Sequence, residues 1–208
     1  MKVKIINLFP KAAMHFNVER SFTDEELALI MTYENATSNN MGNLSTEDVD
    51  ILRLPEMSDI KKIIQDALDM YFLHMYQPKN PKEIRLTLTQ SWLNFTKQGE
   101  HHHIHLHPNS IISGCLYINA KKDVDSIVFK NSEFPYFQIE KEKDNEYNTF
   151  TSSIFVETGD IVLFPSNTLH MVPTVTDPHT RISLAFNSFF RGKLGNVSTD
   201  KVNYLEIR

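Results

Sequence analysis

The chain has 208 residues, 41% hydrophobic and 11% aromatic, which suits one domain with a sizeable buried core and excludes wholesale disorder. Its formal charge of −5 offers no broad basic field, so neither nucleic acid nor a membrane surface is expected as a partner. The single cysteine, Cys115, cannot close an internal disulfide, and no signal peptide or membrane-spanning run is legible; a soluble chain in the cytoplasm is expected.

In chain order, residues 3–9 read as a short strand ended by Pro10. Thr23-Asp24-Glu25-Glu26 is a capping box that opens a helix running to about Asn35. Residues 36–56 lack periodicity and read either as a lid or as a plain ordered loop. Ser58 is the expected cap of a second helix. Its apolar stripe (Ile60, Ile63, Ile64, Ala67, Leu68, Tyr71, Phe72 and Met75) should pack on a sheet, with His74 at the rim and Pro78 just past the end.

From Glu83 the period falls to two. Ile84, Leu86, Leu88 and Trp92 share one parity, and after Gln90 the apolar parity flips to Leu93 and Phe95. That flip predicts a bulge and turns Asn94 toward the same interior as Trp92. Further strands are expected at 111–119, 126–129, 152–157, 160–164, 169–172 and 180–190, separated by turn-forming segments. Many short strands after two helices predict a mainly β fold with N-terminal helices, an antiparallel jelly roll or barrel. One domain over 1–208 is expected, with helical support at about 20–78 and the β core at about 83–190. Residues 191–208 either fold back or pair with another subunit, which would make a homo-oligomer.

Five of the nine histidines fall within residues 101–107. On a strand, His101, His103, His105 and His107 would share one face, with His102, Ile104 and Leu106 on the other. Two imidazoles at i and i+2 can reach one metal ion. His170 follows a strand and turn at residues 160–169 and is a candidate third ligand. Eleven residues later, alternation places Arg181, Ser183, Ala185 and Asn187 on one face and Ile182, Leu184 and Phe186 on the other. Arg181 has a planar fork suited to a carboxylate, and Ser183 can add a hydroxyl donor. A metal beside a carboxylate clamp can hold a small dicarboxylate by both ends.

With those residues in view, the sequence resembles the 2-oxoglutarate/Fe(II) oxygenases found in phages and marine bacteria. The resemblance rests on His105-Leu106-His107-Pro108-Asn109-Ser110 followed by Ser113-Gly114-Cys115-Leu116-Tyr117. It extends to Ser91-Trp92-Leu93-Asn94, to Phe164-Pro165-Ser166 with His170, to Arg181-Ile182-Ser183 and to the early Leu8-Phe9-Pro10. It implies a cupin-like double-stranded β-helix, with Fe(II) and 2-oxoglutarate as cofactors. It also implies decarboxylation of 2-oxoglutarate coupled to oxidation of a small-molecule or peptide substrate, in the host cytoplasm if the chain is phage-encoded. By that resemblance His105, His107 and His170 are the metal and catalytic residues, while Arg181, Ser183 and Asn94 bind the cofactor.

One position departs from the wider superfamily, which carries a carboxylate where this chain has His107. His103 with His105 is the alternative pair, leaving His107 to orient a ligand. His101, His102 and His179 are expected at the rim or in solvent. Two rivals stand beside the oxygenase: a cupin-like three-histidine metal enzyme that does not use 2-oxoglutarate, and a non-catalytic jelly-roll module that merely holds a metal.

Overall fold

The computed structural model describes residues 1–132, 139–195 and 204–208. In chain order its elements are β1 (Met14–Asn17), α1 (Asp24–Thr32), β2 (Thr37–Asn39), β3 (Leu44–Thr46), α2 (Ser58–Tyr76), β4 (Ile84–Thr96) and β5 (His102–His105). They continue with β6 (Ile112–Asn119), β7 (Ser126–Lys130), β8 (Thr151–Phe155), β9 (Asp160–Pro165), β10 (His170–Val172), β11 (Arg181–Leu194) and β12 (Leu205–Ile207).

Two antiparallel sheets result. The larger runs β1-β9-β6-β11-β4-β3-β2, with β12 added to β11; the smaller runs β5-β10-β7-β8. Alternation along β11 explains the layering. Ile182, Leu184 and Phe186 join Ile60, Ile64, Leu68 and Phe72 of α2 in the main core. Burying each of these side chains contributes about 1.5–3 kcal/mol, which is what clamps α2 to the outside of the sheet. The opposite face looks toward the smaller sheet. A second apolar cluster, Tyr117, Val162 and Phe164 with Ile127 and Val156, fills the space between the two sheets.

The bulge expected in β4 is present. Asn187 pairs with Gln90 but Ser188 pairs with Leu88, so Thr89 is the extra residue. Leu86 is buried before it, and Leu93 and Phe95 after it. Asn94 and Trp92 accordingly lie opposite Ser183 and Ala185 on the inner face.

The Thr23 cap also forms. Thr23 Oγ1 accepts from the Glu26 amide at 3.2 Å, and Glu26 Oε2 accepts from the Thr23 amide at 2.8 Å. The helix itself ends at Thr32, and Tyr33–Asn35 tighten into a 3-10 turn. Several expectations need correction. Residues 3–9 form no strand: Val3, Ile5, Leu8 and Phe9 are all exposed, and the first strand starts at Met14, where β9 offers an edge to pair with. Ser58 does not cap α2. A 3-10 turn over Pro55–Met57 runs straight into the helix, so Ser58 is already helical and its hydroxyl is not at the capping position. Residues 36–56 are not a plain loop. They supply the β2–β3 hairpin, which extends the larger sheet along β4.

At the other end, β12 folds back on β11, with Gly192 opposite Ile207. The stretch of the tail between β11 and β12 that covers residues 196–203 lies outside the described residues. No helix among the described residues is long and apolar enough to cross a membrane.

Candidate metal centre and carboxylate site

Strand β5 forms one edge of the smaller sheet, and β10 lies beside it with His170 opposite His105. That register brings the two rings to 4.3 Å between centroids. His107 follows just past the strand, its amide donating to Ser166 O at 2.9 Å. Its ring lies 5.0 Å from each of the other two and 5.6 Å from Trp92. One ring nitrogen from each of His105, His107 and His170 falls within 4.8 Å of the others.

The outer nitrogens are fixed by backbone. His105 Nδ1 is 2.8 Å from His103 O, and His170 Nδ1 is 2.9 Å from Thr168 O. A carbonyl can only accept, so each Nδ1 carries the proton and each Nε2 presents a lone pair. Burial, with the neighbouring imidazoles adding to it, pushes His170 down to about 3 and His107 down to about 4. His105 is lowered by burial as well. All three are neutral at neutral pH, the state in which imidazole binds a metal.

The sequence expectation for His102 is overturned. Between His105 and His102 the partner strand advances only from His170 to Val172, so β5 carries an extra residue. The bulge shifts the parity and turns His102 inward. It is only 8% exposed, and its ring stacks on His105 at 4.3 Å and 22°. His101 is exposed, as expected, while His103 is half-buried. His179 is not free in solvent either: its side chain is 19% exposed and Nε2 lies 2.8 Å from Asp125 Oδ2.

The inner face of the larger sheet carries the second half of the site. Ser183 on β11 lies opposite both Tyr117 on β6 and Asn94 on β4, forming one cross-strand row. Arg181 stands one inward position away and is 2% exposed. Its guanidinium lies over the Tyr117 ring, 4.9 Å from the centroid, and has no acidic partner among the described residues. Arg181 Nε, Tyr117 Oη and Asn94 Oδ1 are buried without a hydrogen-bond partner. Leaving several polar atoms unsatisfied in one place is costly unless a ligand completes them, and a carboxylate would satisfy both the guanidinium and the phenol. Cys115 lies in the next row; burial pushes its thiol up to about 11, so it is no nucleophile.

A polar network beyond that row has no counterpart in the sequence reading. Ser113 Oγ donates to Asn187 Oδ1 at 2.7 Å and meets Ser166 Oγ at 2.8 Å, and Ser166 Oγ donates to Ser110 Oγ at 2.8 Å. It ties the turn carrying His107 to the turn before His170. Its members were visible in the sequence, the three serines in the segments that carry the family resemblance and Asn187 on the polar face of β11, but the contacts between them were not.

Residues 90–187 match the family model described as "Putative 2OG-Fe(II) oxygenase", a span that includes the histidine strand, His170 and Arg181. No curated protein matches the sequence. Among solved structures, a 2OG-Fe(II) oxygenase family oxidoreductase from Burkholderia pseudomallei is 15% identical, with 85% of this chain and 83% of that chain covered and a TM-score of 0.56. HygX from Streptomyces hygroscopicus, solved with nickel, 2-oxoglutarate and hygromycin B, is 14% identical over 86% of this chain and 82% of its own, with a TM-score of 0.55. A prolyl-4-hydroxylase from Pseudomonas putida is 13% identical over 85% and 92%, with a TM-score of 0.50. The fold is the double-stranded β-helix of these enzymes. The family match supports a 2-oxoglutarate/Fe(II)-dependent oxygenase, and the neighbours show the fold that such a site needs.

Proposed function

We propose that the protein binds Fe(II) through His105, His107 and His170, binds 2-oxoglutarate through Arg181 and Ser183, and oxidises a small-molecule or peptide substrate. One observation carries this reading: three neutral imidazoles converge within 4.8 Å in the same inter-sheet space as a buried guanidinium that has no acidic partner among the described residues. When bound, Fe(II) and 2-oxoglutarate supply the redox chemistry, decarboxylation to succinate and carbon dioxide coupled to oxidation of the second substrate.

The protein's own contribution is position and dryness. The carbonyls of His103 and Thr168 hold two rings so that both Nε2 lone pairs face inward. His107 completes the set as a third neutral donor, which leaves the centre one negative charge short of a site with a carboxylate ligand. Arg181 offers a planar fork to the distal carboxylate, and the Ser183 and Tyr117 hydroxyls can donate beside it. Asn94 walls the same position. Because this row is 0–3% exposed, the pairing is formed in a low-dielectric site where each charge-assisted bond counts for more.

The test is anaerobic addition of Fe(II) and then 2-oxoglutarate to the purified protein. A visible charge-transfer band and, on admitting oxygen, succinate are expected; folded protein that gives neither overturns the reading. The all-imidazole set also suits a zinc or three-histidine enzyme. Tight metal binding with no succinate and no effect of 2-oxoglutarate would favour that rival.

A further inference from the structure

The inward turn of His102 creates a second cluster that the oxygenase chemistry does not use. His102, His103 and His105 also bring one ring nitrogen each within 4.8 Å of one another. Their rings lie 4.3 to 5.1 Å apart. A tetrahedral ion with metal–nitrogen bonds of about 2.1 Å needs ligand atoms about 3.4 Å apart, so a modest turn of the rings closes the set. His103 Nδ1 is buried with no hydrogen-bond partner. His102 is almost fully buried, and its polar neighbour is the Asn40 side-chain amide, 3.0 Å from Nε2. Among the described residues, no carboxylate enters the cluster. Three packed imidazoles with an orphaned nitrogen are expensive as plain core, where apolar residues would serve better.

His105 belongs to both triads. Its Nδ1 is held by the His103 carbonyl, so only Nε2 is free, and one ion at a time can use it. Each triad has one buried ring and two half-buried ones; the buried ring of the second, His102, is 8% exposed and adjoins exposed His101, against 4% for His170 in the first. We propose that His102, His103 and His105 form a second position for a divalent first-row metal ion, alternating with His105, His107 and His170 through the shared imidazole and serving as the loading position.

Two experiments on the full chain test this. In the first, apo protein carrying His107→Ala and His170→Ala is titrated with Ni(II), with circular dichroism as the folding control. It should still bind one ion, and adding His102→Ala and His103→Ala should weaken that binding by at least about tenfold. No binding in the folded double variant, or binding undiminished by the further changes, overturns the proposal. The second experiment keeps the first triad intact, so it serves if the double variant fails to fold. Stopped-flow uptake of Co(II) by the His102→Ala/His103→Ala protein should be slowed about tenfold while it still loads one ion; unchanged uptake overturns the proposal. The role of loading position rests on the first triad binding metal. The arms separate the two ideas: a folded His102→Ala/His103→Ala protein that takes up no ion defeats the oxygenase reading, whereas the Ni(II) titration addresses the second cluster alone.

Discussion

His107 Nε2 and His170 Nε2 face each other at 3.2 Å, with no acidic group in the cluster around them among the described residues. The Nδ1 of His170 already carries its proton, so two nitrogens this close need either a shared proton or a cation between them. A metal ion meets that need for all three rings of the triad. Replacing His170 by Ala should therefore weaken Fe(II) or Ni(II) binding at this triad by about tenfold to a hundredfold, measured by competition with a chelating dye. Unchanged affinity at this site would show that the ring is not a ligand.

Arg181 gives a prediction with opposite signs in two measurements. The guanidinium is buried without an acidic partner among the described residues, so the protein without cofactor carries an uncompensated charge. Arg181→Met should raise the melting temperature of the cofactor-free protein, by about 2–4 °C for each kcal/mol gained. The same change should weaken 2-oxoglutarate by about tenfold to a hundredfold, since a charge-assisted bond contributes about 1.5–3 kcal/mol. Arg181→Lys should restore the charge but not the forked contact, and so recover little of the affinity.

Gly114 on β6 leaves its side-chain space to its two cross-strand partners, Phe186 on β11 and Leu163 on β9. A Cβ there would lie 2.5 Å from Phe186 Cζ and 2.6 Å from Leu163 Cδ2, both fully buried. Both side chains would have to shift within the main core, so Gly114→Ala should cost about 1–3 kcal/mol in urea unfolding.

Glu26 sets a pH dependence remote from the site. Burial raises its pKa, but the Arg20 hydrogen bonds, the Thr23 amide and the Arg20 charge outweigh it and hold the carboxyl below its ordinary 4.5. A carboxylate lowered by folding stabilises the native state above 4.5, and that stability is lost as pH falls, because the unfolded chain takes up the proton first. Glu26→Gln should cost about 2 kcal/mol at neutral pH, and its difference from wild type should shrink below pH 4.5. Denaturant midpoints measured between neutral pH and pH 3 check both statements.

Strands β4 to β11 were legible because their side chains alternate between two environments, whereas the short β1, β2, β3 and β12 carried no such signal. The alternation of Arg181, Ser183, Ala185 and Asn187 against Ile182, Leu184 and Phe186 announced both the position of β11 and its two environments. The parity flip in β4 announced its bulge for the same reason. Residues 3–9 misled because their apolar residues imitate a strand, and pairing depends on an available edge, which β9 offers to Met14–Asn17 instead. Ser58 misled because a 3-10 turn can begin a helix before its usual capping residue.

By itself, the sequence determined residue types and their local periods: a histidine-rich strand, a lone histidine after a turn, and an arginine on a polar strand face. Those properties are local, set by side-chain chemistry and by the two-residue repeat of an extended chain. Only the tertiary structure decided which nitrogens converge, because the pairing of His105 with His170 and the bulge that turns His102 inward are properties of two strands 65 residues apart in sequence. It likewise decided that Arg181 has no acidic partner among the described residues, since the groups facing a buried charge come from strands that the sequence does not order.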